Sequence, residues 1–318
     1  MMMSKYRNAL PQLDGRVFLT DGGMETTLLF HEGFELPGFA AFPLLEDPDG
    51  RSALRRYYET YGRIAVNAGC GFVLETPTWR ANADWGAKIG FGRGALAEIN
   101  RHSARFMHDV RDALEQPQSP FVISGCIGPR GDGYRADTQM RSEEAAGYHR
   151  EQVAVLAGGD VDLVSAATMT YAEEAVGVVH AAEEVGLPAV ISFTTETDGR
   201  IPSGQPLREA IEQVDAETNS RAAYFMLNCA HPSHFEDVLR DPGEWRARIR
   251  GLRANASSLS HEELDQSTEL DAGNPEELGR QYRTLREEVP SLTVLGGCCG
   301  TDHRHIEQIS RHCVQTTE

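Results

Sequence analysis

Short apolar runs rich in β-branched residues alternate along the chain with longer stretches in which apolar residues recur every three to four positions. VFLT at 17 to 20, GFVLE at 71 to 75, FVISG at 121 to 125 and VDLVSAA at 161 to 167 read as strands. So do PAVISF at 188 to 193, AAYFMLN at 222 to 228, IRGLRA at 249 to 254 and LTVL at 292 to 295. Between them a helical period runs through ETYGRIAVNAG, ALAEINRHSARFMHDVRDAL, SEEAAGYHREQVAVLAGG, AEEAVGVVHAAEEVG and REAIEQVD. It returns in HFEDVLR, PEELGRQYRTLREEV and a last stretch from Asp302. Eight such pairs in 318 residues predict an α/β fold, a closed (β/α)8 TIM barrel of one domain over residues 1–318, better than an open sheet. The first residues, up to about position 15, precede the alternation and read as a cap or arm. The irregular segment 255 to 274 follows the seventh strand and reads as a lid or substrate loop.

Composition narrows the partners. Forty-eight acidic against 30 basic residues give a net charge of -18, which repels phosphate backbones and anionic headgroups, so nucleic acid and membrane are not expected partners. The start MMMSKYRNALPQLDG lacks an apolar stretch of signal-peptide length, and no membrane-length apolar run occurs, so a cytoplasmic location is expected. Either a monomer or a homo-oligomer is compatible with these numbers. Six cysteines in a chain of this size do not make a disulfide scaffold, and in a reducing compartment clustered thiols point to metal binding or catalysis.

Barrels carry their chemistry at the carboxyl ends of the strands. The sixth strand ends in LNCAH and the eighth in GGCCGT, bringing Cys229, Cys298 and Cys299 to the rim. Three thiolates and one open position suit a catalytic zinc ion, and an electron-rich Zn2+ centre of this kind activates a substrate thiol for attack on a methyl group. Gly296, Gly297 and Gly300 are expected to give the backbone freedom for adjacent cysteines to face one metal. The competing structural readings are a vicinal Cys298–Cys299 disulfide or small buried hydrophobes. Cys70, Cys126 and Cys313 read as core filling, and His231, His234, His303 and His305 as helix-start or surface residues. HEEL at 261 to 264 lacks the second histidine of a metalloprotease motif, and the glycine-rich stretches lack the full GxGxxG pattern.

With GGCCGT, LNC and LTDGGMETTL, the chain resembles the zinc-dependent homocysteine S-methyltransferase family over nearly its whole length. LETPTWRAN, SGCIGPRGDGY and ISFTTETDGRIPSGQPL extend the likeness. The resemblance implies a methyltransferase of the (β/α)8 class, with zinc on Cys229, Cys298 and Cys299 and a homocysteine thiol at the open position. Asp21, Gly22 and Gly23 would lie where the family holds the amino-acid end of that thiol, with Thr76, Thr168 and Asn228 completing the substrate-binding set. Methionine is the implied product. S-methylmethionine or S-adenosylmethionine is the favoured donor, since one barrel leaves no room for a cobalamin or folate module.

One departure from that pattern bears on the acceptor. Ala167 precedes Thr168 where the family carries a glutamate that grips the substrate ammonium. Glu25 or Glu75 would then supply the missing carboxylate. Pro77 replaces a usual asparagine, and Trp79 offers an aromatic face to a sulfonium or ammonium donor. Its bland alternative is packing beneath the next loop, while Arg80 and Arg130 either clamp a carboxylate or face solvent. The departure keeps two alternatives open, a same-fold enzyme for another thiol or onium donor and an inactive zinc- or metabolite-binding barrel.

Overall fold

A computed structural model describes residues 4–267 and 269–314. Eight parallel strands close into a barrel in sequence order. They are β1 (Phe18–Leu19), β2 (Gly71–Glu75), β3 (Phe121–Ile127), β4 (Leu163–Met169), β5 (Ala189–Phe193), β6 (Ala222–Asn228), β7 (Ile249–Ala254) and β8 (Val294–Gly297). The expected single-domain barrel is therefore the observed one. No helix among the described residues is long and apolar enough to cross a membrane.

The outer layer holds α1 (Pro48–Ala68), α2 (Ala83–Lys88), α3 (Arg93–Leu114), α4 (Ser142–Gly158) and α5 (Ala172–Glu184). It continues with α6 (Leu207–Glu217), α7 (Pro232–Leu239), α8 (His261–Gln266), α9 (Pro275–Glu288) and α10 (His303–Cys313). Local chemistry sets their ends. Asp47 accepts from the Gly50 amide ahead of Pro48, and Gly69 closes α1 at φ 67°. Ser260 and Glu263 form a reciprocal capping box on α8, so the segment expected to be a lid contains a short helix of its own.

Two apolar layers follow from the strand alternation. Phe18, Val73, Val122, Leu163, Val190, Tyr224 and Val294 fill the barrel interior, and the opposite faces pack against the helices. The amino-terminal residues join this interior: Leu10 packs in the same cluster, and Gln12 donates to the Tyr224 hydroxyl at 3.4 Å. The Tyr6 amide donates to Asp162 Oδ1 at 2.7 Å, while Asp162 Oδ2 takes Arg111 at 3.0 Å and the Ile123 amide at 2.9 Å. Arg111 and Asp162 are 6% and 0% exposed, so neither charge has water to fall back on. Asp162→Ala should therefore lower stability by about 3 to 5 kcal/mol in a urea titration, an amount expected when a buried cation loses its partner.

Candidate active site

The three rim cysteines converge. Their sulfur atoms all lie within 4.8 Å of one another, a group able to hold a metal ion. Cys229 and Cys298 are joined as a disulfide, not the vicinal pair considered from the sequence, and Cys299 is a free thiol. Burial pushes the Cys299 thiol up to about 11 against an opposing hydrogen bond from Tyr134, whose hydroxyl stands 3.6 Å from its sulfur. Cys229 takes a left-handed backbone at φ 55°, uncommon for a residue with a Cβ. Its carbonyl accepts from His261 Nε2 at 2.8 Å and Asn255 Nδ2 at 3.0 Å, which hold the turn in place.

The glycines around Cys298 have two different reasons. Gly300 sits at φ 78°, as expected. Gly296 and Gly297 instead are needed for space: a Cβ on Gly296 would collide with the Thr20 hydroxyl, and one on Gly297 with that of Thr301. Gly22 and Gly23 are also tightly packed though less so, Gly22 against the Thr301 carbonyl and Gly23 against the Thr26 hydroxyl and the Cys298 carbonyl. The Gly23 amide is used by the Thr301 carbonyl at 3.0 Å.

Beside the thiols lies a charge cluster that the sequence reading missed. Arg253, on β7, donates through Nη2 to Asp21 Oδ1 at 2.6 Å, through Nη1 to Glu75 Oε2, and through Nε to the Gly297 carbonyl at 3.1 Å. Burial works against its charge, but Asp21 and Glu75 outweigh that and raise its pKa further. Asp21 also accepts from the Tyr57 hydroxyl at 3.0 Å, and Glu75 from Ser124 and Ser165. Glu75 is thus engaged before any substrate arrives. The available signal was a positively charged residue inside an otherwise apolar barrel strand, in IRGLRA.

Glu25 differs. It lines the same cavity, and apart from its own backbone amide its carboxylate has no hydrogen-bond or ion-pair partner among the described residues. Burial, with a smaller contribution from Asp21, raises its pKa to about 7. Thr168 and Asn228 pair reciprocally: the Thr168 amide donates to Asn228 Oδ1 at 2.9 Å, and Asn228 Nδ2 to Thr168 Oγ1 at 2.8 Å. This holds Thr168 at φ 62° in an irregular stretch of β4, a strained setting for a β-branched residue. Thr76 uses its hydroxyl on Thr78 and the Cys126 amide.

Trp79 lines the cavity too, with Nε1 donating to the Ala167 carbonyl at 3.2 Å, but the guanidinium of Arg80 covers its ring at 3.8 Å. Arg80 is buried, whereas Arg130 lies farther out, paired with Asp84 and Glu144. Tyr134 stacks on His261 of α8, their centroids 4.1 Å apart, joining the β3 loop to the segment after β7. The histidines near the cysteine motifs do structural work: His231 caps α7, His234 bonds the Ser258 carbonyl, and His305 bonds Asp302 and the Ala272 carbonyl. Cys126 lines the cavity, and Cys70 is buried elsewhere. The space enclosed is about 570 Å³, enough for small substrates.

The fold and this rim define a barrel enzyme with a thiol centre suited to a metal ion. Residues 18–313 match the homocysteine S-methyltransferase family, and the chain belongs to it. Similar relatives are homocysteine S-methyltransferase 1 of Arabidopsis thaliana, 23% identical over 93% of both chains, and homocysteine S-methyltransferase 4 of Zea mays, 24% identical over 93% of this chain and 89% of that one. Among solved structures, the oxidized form of the Escherichia coli homocysteine methyltransferase MmuM superposes with a TM-score of 0.75 at 19% identity, covering 95% of this chain and 98% of that one. Its metallated form gives 0.70 at 19% identity, covering 94% and 97%. The family and methyltransferase class expected from the sequence are met.

Glu25 gives a pH test of the site. Its pKa is raised from 4.5 to about 7, so its contribution to stability is fully present below pH 4.5 and is lost as pH rises through 7. Glu25→Gln, which never ionises, should gain stability relative to the parent between about pH 5 and pH 8 in urea titrations. A difference that stays constant with pH would contradict the burial of this carboxylate.

Proposed function

We propose that this chain moves a methyl group from a sulfonium or ammonium donor to the thiol of homocysteine, with zinc held by Cys229, Cys298 and Cys299. The convergence of three sulfurs within 4.8 Å at the barrel rim carries the reading, because an all-sulfur donor set suits zinc. Two of these sulfurs must first be released from their disulfide by reduction. A zinc ion bound there would lower the pKa of the acceptor thiol, so that it reacts as thiolate near neutral pH.

The chain's own residues supply the rest. The Tyr134 hydroxyl, 3.6 Å from Cys299, can donate to that sulfur and moderate its charge. Glu25 supplies the carboxylate that Ala167 lacks, and an acceptor ammonium beside it would favour its ionised form. Phe30, Phe39 and Tyr134 add aromatic surface around the cavity, a wall suited to an onium methyl donor such as S-methylmethionine or S-adenosylmethionine.

Protein purified with reductant should bind zinc by elemental analysis and methylate homocysteine from one of a panel of onium donors. Cys298→Ser should lose both metal and activity while keeping its circular dichroism spectrum. Retention of both would refute the zinc assignment. Glu25→Gln should raise the KM for homocysteine in line with a loss of about 2 to 5 kcal/mol, and an unchanged KM would remove Glu25 from this role.

A further inference from the structure

Arg80 follows β2, is 6% exposed, and forms no ion pair among the described residues. Its guanidinium lies 3.8 Å from the ring centroid of Trp79 and 3.6 Å from that of Trp85, and Lys88 covers Trp85 at 3.7 Å. The order is built into the sequence: Asn82 caps α2 by accepting from the Trp85 amide at 3.1 Å, which brings Trp85 back over Arg80. With an indole beside each face, the guanidinium keeps the edge of its plane for hydrogen bonding. Along that edge Nη1 donates to the Gly131 carbonyl at 3.1 Å, while Nε is buried without a partner. Nη2 makes no hydrogen bond among the described residues. Burial lowers the pKa of Arg80 to about 10, which still leaves it cationic at neutral pH.

Glu25 faces the same cavity with the opposite charge and a similar shortage of partners. Each of the two influences the other's protonation, yet they form no ion pair. An α-amino acid is shaped for such a separated pair, since its ammonium and carboxylate share one carbon and can each reach a different partner. Arg253 holds Asp21 and Glu75, Asp132 supports the charge of Arg80 more than Glu25 does and accepts from the Tyr134 amide at 2.8 Å, and the Gly23 amide donates to the Thr301 carbonyl.

We propose that Arg80 and Glu25 together read the α-amino-acid end of the acceptor thiol, Arg80 taking the carboxylate and Glu25 the ammonium. This rests on the acceptor reading above and makes Arg80 a specificity-determining residue. Recognition then moves from the end of β4, where Ala167 stands, to the loops after β1 and β2.

The test compares L-homocysteine with 3-sulfanylpropan-1-amine, which lacks the carboxylate, and 4-sulfanylbutanoate, which lacks the ammonium, by KM and by calorimetric binding to the reduced, zinc-loaded protein. Wild-type protein should bind each truncated thiol at least about tenfold more weakly than homocysteine, the scale of one charge-assisted contact. Arg80→Met, which keeps an unbranched chain between the indoles, should weaken homocysteine and 4-sulfanylbutanoate about tenfold or more and change 3-sulfanylpropan-1-amine less than about twofold. Glu25→Gln should give the mirror pattern. An Arg80→Met variant that weakens all three alike, or none, overturns the proposal. Should that variant not fold, equal wild-type affinity for homocysteine and 3-sulfanylpropan-1-amine overturns it instead. If homocysteine binds in this pattern but no donor methylates it, the methyl-transfer reading fails and the reader stands.

Discussion

The bridge from Arg253 to Asp21 and Glu75 is the constraint on which the rim depends. One guanidinium ties β7 to residues at the carboxyl ends of β1 and β2, and its Nε adds the carbonyl of Gly297 immediately before Cys298. A buried cation between two buried carboxylates tolerates little displacement, because each charge depends on the others for the solvation that burial has removed. The chain therefore fixes the approach to the thiol centre with electrostatics, on a barrel whose lower interior is apolar.

Strain and support occur together at this end of the barrel. Cys229 and Thr168 both adopt left-handed backbones, and the surrounding side chains hold both there: Asn228 grips Thr168, while Asn255 and His261 grip the Cys229 carbonyl. Those bonds offset the cost of a conformation that a Cβ disfavours by about 1 to 3 kcal/mol. The segment after β7 takes part through His261, so residues far from the cysteines in sequence help define the position of one of them.

The barrel and its cysteine rim were legible in the sequence because both depend on local patterns. Strand and helix periods are written in consecutive residues, and each cysteine motif ends a recognisable strand. Arg253 was not legible in the same way, because its meaning depends on Asp21 and Glu75, which fold beside it from distant parts of the chain. Nor was the division between the two carboxylates proposed to replace the one missing at Ala167. Glu75 and Glu25 look equivalent on paper, and the neighbours that engage one and spare the other lie in β3, β4 and β7. The glycines beside Cys298 teach the same lesson, since Gly296 and Gly297 answer to the hydroxyls of Thr20 and Thr301 rather than to their own dihedral angles.

The stacked row of Trp79, Arg80, Trp85 and Lys88 gives the protein an optical property as well as a shape. The chain has three tryptophans, and two of them line the cavity while Trp245 is buried in the outer core. Indole emission responds to nearby charge and solvent, and two of the three indoles stand beside the candidate substrate site. The molecule carries its own reporter there, with no dye or label to disturb the packing.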